Sequence, residues 1–150
     1  MPQFKFKFES VLKYRLYRLE QCRNLLAQIL ADDHSLVMNH RQLTQGKRLQ
    51  IEDLRNLGRP GGIDVDAIAA RRYYVGQLMG QMQMVEHQRR VIAEQIQMCR
   101  KALTKAEQEV KVLEKLKENH YAEHRYAQER RATHELEESW MASHAKEFTK

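Results

Sequence analysis

His120-Tyr121-Ala122-Glu123-His124 spells H-x-x-E-H, two imidazoles four residues apart with a carboxylate between them. On a helix this spacing stacks both rings on one face, the arrangement in which zinc hydrolases hold two of their metal ligands. Hydrolysis would also need a third protein ligand and a walled cleft that keeps an open metal position. Nothing upstream of this motif reads as a catalytic domain, and little chain follows it. His120 and His124 are therefore a weak metal candidate, and a His-rich solvated helix face is the simpler reading. No Gly-rich phosphate loop is present either. The expectation is a chain that is not an enzyme and takes no cofactor.

The elements that carry these residues follow from punctuation and period. Three of the six glycines and one of the two prolines fall in Gly58-Arg59-Pro60-Gly61-Gly62. On either side, apolar residues recur in steps of three and four, the signature of heptads. The first series includes Leu12, Leu16, Leu19, Cys22, Leu26, Ile29, Leu30, Leu43 and Leu54; the second runs from Val75 through Leu78, Met82, Val85, Ile92 and Ile96 to Leu113. The pattern predicts an all-α protein. Its single domain is an antiparallel coiled-coil hairpin over residues 1–150, with helices at 8–57 and 64–141, a turn at 58–63 and a flexible tail at 142–150. Gly58 suits the left-handed residue that ends a helix, and Pro60 blocks its resumption. Asp64 or Asp66 suits the cap of the second helix.

Folding back at the turn makes the numbers of facing residues sum to about 121–125. Asp33, the acidic break in the first seam, then meets Arg89, the basic break in the second. Cys22 lies level with Cys99, where packing is a simpler role than a disulfide. The second helix outlasts its partner beyond about residue 117, which predicts a single-helix overhang that frays until something grips it.

The net charge of +6 comes from 26 basic and 20 acidic residues, with both signs alternating along the helices. That alternation marks a solvated surface, so nucleic acid is not the expected partner. No run approaches the roughly 20 apolar residues of a membrane span. The opening lacks a signal-peptide core, and both cysteines sit in apolar columns, so the cytoplasm is the expected compartment.

Two surfaces stand out as partner sites. Tyr74, Leu78 and Met82 face the polar stretch Thr44-Gln45-Gly46-Lys47-Arg48, which would cover them poorly. Leu136 and Trp140 lie on the overhang, where the only Trp of the chain calls for a docking partner. Disorder beyond about Ser143 is the competing view of that end.

Four segments, in order, carry a family resemblance. Phe4-Lys5-Phe6-Lys7-Phe8-Glu9-Ser10-Val11-Leu12 with Arg15 resembles the start of FliJ, a protein of bacterial flagellar type III export. Arg72-Tyr73-Tyr74-Val75-Gly76-Gln77-Leu78 is similar to that family's aromatic-rich start of the second helix. Residues 109–118 resemble its late segment, and Glu135-Leu136-Glu137-Glu138 through Phe148 its acidic terminus. The H-x-x-E-H motif and Trp140 are not part of that pattern.

The resemblance implies a stalk-like adaptor in the ring of the flagellar export ATPase. It also implies contact with the cytoplasmic domain of the export gate and handling of export chaperones. Such a protein is peripheral to the inner membrane at the flagellar base, held there by its partners. The family's gate contact maps onto Tyr74 and Leu78. The equivalent stalk protein of a virulence-type injectisome would look nearly the same, and a generic basic coiled coil that binds nucleic acid is a further rival.

Overall fold

A computed structural model describes residues 3–58, 61–62 and 64–148, with Lys146 and Phe148 described in their backbone only. The described residues form two helices, α1 (Glu9–Leu57) and α2 (Val65–Phe148), packed against each other as a hairpin. No strand occurs among the described residues. The helix expected to stop at residue 141 continues to Phe148, so residues 142–148 are helical rather than a loose tail. Ala142, Ala145 and Lys146 are good helix formers, and no Gly or Pro interrupts the segment.

The turn departs from its expected mechanism. Gly58 keeps the helical pattern, its amide donating to the Leu54 carbonyl at 3.2 Å. The positive backbone angles fall instead at Gly61 (φ 138°) and Gly62 (φ 133°), where a side chain would be strained. Pro60 lies outside the described residues. Asp64 is the cap of α2: its Oδ1 accepts from the amides of Asp66 at 3.1 Å and Ala67 at 3.3 Å. Asp66 occupies the first turn, where its charge favours the helix dipole. Replacing Asp64 by Ala should cost about 1 kcal/mol. Urea unfolding followed by helix circular dichroism measures it, and Asp66→Ala should cost less.

The single domain expected over 1–150 packs as two compact units, Gln21–Leu103 and Met1–Glu20 with Thr104–Lys150. In a two-helix seam each side chain enters a hole formed by its immediate neighbours, so packing is local. The unit at 21–103 has a thin core in which Leu78, Val85 and Ile96 are buried. Half-buried residues follow the heptad without a slip, from Cys22 through Leu26, Ile29, Asp33, Leu36, His40 and Leu43. Leu30 is exposed because Ile29 holds the seam position beside it.

In the second unit Leu12, Leu19, Ala106 and Val110 are buried. Leu16, read as part of the seam, is exposed, and Arg15 takes the inward position. Arg15 Nη1 donates to Glu109 Oε2 at 2.6 Å, which compensates the charge there. Lys117 Nζ meets Glu9 Oε2 at 2.9 Å one layer further on. No described side chain in either unit is fully buried, as a seam only two helices wide dictates.

Candidate functional site

The polar contacts across the seam set register before anything can be recognised on the surface. In the 21–103 unit Arg89 Nε donates to Asp33 Oδ1 at 3.0 Å, and Nη2 reaches Oδ2 at 3.4 Å. The hydrogen bond to Asp33 raises the Arg89 pKa above its ordinary value. Arg89 is exposed and Asp33 only half-covered, so the pair lies at the seam edge rather than inside it. Arg71 Nη1 bridges Asp53 Oδ2 at 2.7 Å and Gln50 Oε1 at 3.2 Å, and His40 Nε2 lies 3.1 Å from Glu86 Oε1. Sequence reasoning found the first of these pairs and missed the other two, although Arg71 and Asp53 satisfy the same register rule and His40 and Glu86 fall one residue outside it. Exposed pairs of this kind contribute little energy each. Their value is that a slipped register would break all of them together.

Cys22 and Cys99 are free thiols, both half-buried.

His120 and His124 do not stand on a bare helix. Residues 3–8 continue past the start of α1 and lay their aromatic rings on α2. Phe6 is 7 % exposed, 5.8 Å from the His120 ring and 5.8 Å from Phe8. Phe4 meets Tyr121 edge-on at 5.4 Å and the His124 ring at 5.5 Å. The two imidazoles thus form the floor of an aromatic contact. Among the described residues they join no group of three or more His, Cys, Asp or Glu side chains suited to a metal. The overhang expected from residue 117 therefore begins later, with unbroken exposure only from Glu129, because the Phe-Lys-Phe-Lys-Phe segment covers the helix around His120 and His124.

The first partner surface is redrawn. Leu78 is 6 % exposed and Met82 half-buried, so both serve the seam. Leu78 packs beside Gly46: a Cβ placed there would lie 3.7 Å from Leu78 Cδ1, an ordinary van der Waals contact. Tyr74, 48 % exposed, keeps its surface role. Tyr73 is exposed next to it, and its hydroxyl accepts from Gln77 Nε2 at 2.8 Å; Met79 is exposed on the other edge of the seam. Positions one step from a seam residue reveal such neighbours once the heptad is assigned.

The second surface remains open. Every described side chain from Glu129 to Ser143 is exposed, Leu136 among them. Trp140 is 55 % exposed and does have an internal partner, stacking on His144 at 4.4 Å with 22° between the planes. The Trp140 carbonyl accepts from His144 Nδ1 at 2.9 Å, which sets the imidazole under the indole. Further pairs one turn apart, Arg125 with Glu129 and His134 with Glu138, support this stretch from within.

The chain matches no protein-family model, no curated protein and no solved structure. Among the described residues no helix is long and apolar enough to cross a membrane. Its own surfaces and the resemblance of its four segments are what a functional reading can use.

Proposed function

We propose that this chain is a non-enzymatic, stalk-like adaptor of the bacterial flagellar type III export apparatus. In this reading it binds the export ATPase ring and the cytoplasmic domain of the export gate, and assists chaperone handling. The observation that carries the reading is a heptad hairpin in which α2 runs on, past the last residue that α1 or the N-terminal segment covers, as a charged and exposed helix. Such a helix offers different side chains to successive subunits of a ring. It thereby stabilises some ring states over others, and any effect of a binder on its partner's activity requires that difference. The aromatic surface at Tyr73 and Tyr74 is the gate contact in this reading. Tyr is a residue type enriched in recognition patches. Its base in the cell is the cytoplasmic face of the inner membrane at the flagellum, reached through partners.

The test is the hydrolysis rate of the same organism's flagellar export ATPase, titrated with this protein. Stimulation should be several-fold, saturate below one chain per ATPase subunit, and disappear when the chain is cut after His124. Absence of both stimulation and co-elution would overturn the reading. Stimulation of an injectisome ATPase but not the flagellar one would move it to the virulence-type system.

A further inference from the structure

We infer that the stretch of α2 from Arg125 to Ser143, exposed except at the half-buried Gln128, pairs antiparallel with the same stretch of a second copy of this chain. Two features of that stretch carry the inference. Tyr126, Thr133 and Trp140 repeat at seven residues, with Leu136 one short step from Thr133, so a heptad stripe persists where no intramolecular helix faces it. Tyr126, Arg130, Thr133 and Glu137 border one hollow along the helix surface, with Glu129, Arg131 and His134, which places Tyr126 and Thr133 on a common face with Arg130 and Glu137.

The charges then choose the occupant and its direction. Arg125, Arg130 and Arg131 lie in the first half of the stretch, and Glu135, Glu137 and Glu138 in the second. Arg130 and Glu137 hold the same flanking position of successive heptads, so an antiparallel pair brings Arg130 of each copy beside Glu137 of the other. Thr133 and Leu136 of one helix then meet Leu136 and Thr133 of its mate at the centre. A parallel pair would instead set Arg130 against Arg125, which already has Glu129 as its partner, and Glu137 against Ala132, so neither Arg130 nor Glu137 would gain an opposite charge. Glu129 opposes the trend, but its carboxylate is already held by Arg125 at 3.4 Å. Charge complementarity thus points to a second copy, reversed. The pairing is weak and reversible, because it is short and joined by exposed ions that salt screens. A partner that grips the same helix would have to displace the second copy.

This inference does not rest on the export reading, and its test involves no ATPase. Sedimentation equilibrium of the full chain at about 50 mM salt should show a monomer–dimer equilibrium that weakens about tenfold at 500 mM. Arg130→Glu alone and Glu137→Arg alone should each weaken it by tenfold or more, since each sets like charges together twice. The double variant R130E/E137R should recover the parent affinity within a few-fold, because it exchanges the two charges across the symmetric contact. Both positions are solvent-exposed, and unchanged helix content by circular dichroism excludes a folding defect. A chain monomeric at every concentration, a dimer indifferent to both single reversals, or a double variant as weak as the singles would each overturn the inference.

Discussion

Leu78→Ala should lower the stability of the Gln21–Leu103 unit by about 2–3 kcal/mol, while Tyr74→Ala stays within about 0.5 kcal/mol of the parent. The two residues are four apart on α2, and only their depth separates them. Leu78 is buried over Gly46, in a seam with too few layers to collapse around a cavity. Truncating it removes a large part of one layer's apolar contact and leaves a cavity in the seam beside Gly46, which has no side chain. Tyr74 is half out in water, so its loss costs the fold little. Binding should invert the ranking. Capture on the cytoplasmic domain of the flagellar export gate should fall about tenfold or more with Tyr74→Ala, the scale of an interface hot spot. With Leu78→Ala it should fall only as far as the unit unfolds. Urea midpoints and gate binding on the same preparations separate the effects. A stable Leu78→Ala variant would contradict the burial, and unchanged gate binding by Tyr74→Ala would remove that surface from the proposed function.

The same pair of residues shows what the sequence could and could not disclose. Fold class, hairpin direction and the Asp33–Arg89 level were legible because all three follow from period and register, which are local properties. Leu78, counted in the seam series, was also assigned to a partner surface because the facing stretch was read by polarity. Gly46 is neither polar cover nor apolar cover. It is an absence of side chain, and its meaning depends on what stands opposite. Leu16 and Leu30 were misplaced for a related reason. Adjacent or nearly adjacent residues on a helix cannot all face a narrow seam, and hydrophobicity alone does not say which yields. The Phe4-Phe6 contact was hidden more deeply. Its alternating Phe and Lys have a period of two and belong to no helix, so the heptad count that organised the rest assigned them no partner.

That N-terminal contact supports the other large prediction. Phe6→Ala should release residues 3–8 from α2 while leaving the unfolding of the Gln21–Leu103 unit unchanged. Phe6 is the most buried residue of the segment, and burying such a ring contributes about 2 kcal/mol. A short segment held mainly by two aromatic rings has little else to keep it docked. Its loss is therefore a local opening, and the cost to the whole chain is capped at the segment's own docking energy. Amide exchange across residues 118–125 is not the readout, because those amides stay inside α2 in either state. The sensitive measurements are trypsin cleavage after Lys5 and Lys7, and the ring resonances of His120, His124 and Tyr121, which lose their Phe neighbours. Cleavage should quicken by about tenfold or more, since each 1.4 kcal/mol of lost docking multiplies the open population by ten. Phe4→Ala should act in the same direction and more weakly, because Phe4 is only half-buried. If Phe6→Ala left both cleavage and ring resonances unchanged, the ion pairs Glu9–Lys117 and Arg15–Glu109 would have to hold the segment. Glu9 and Lys117 border the same hollow as Phe4, Lys5 and Phe6, and the Glu9 amide donates to the Phe6 carbonyl at 3.2 Å, so that outcome would assign the docking to this contact rather than to the rings.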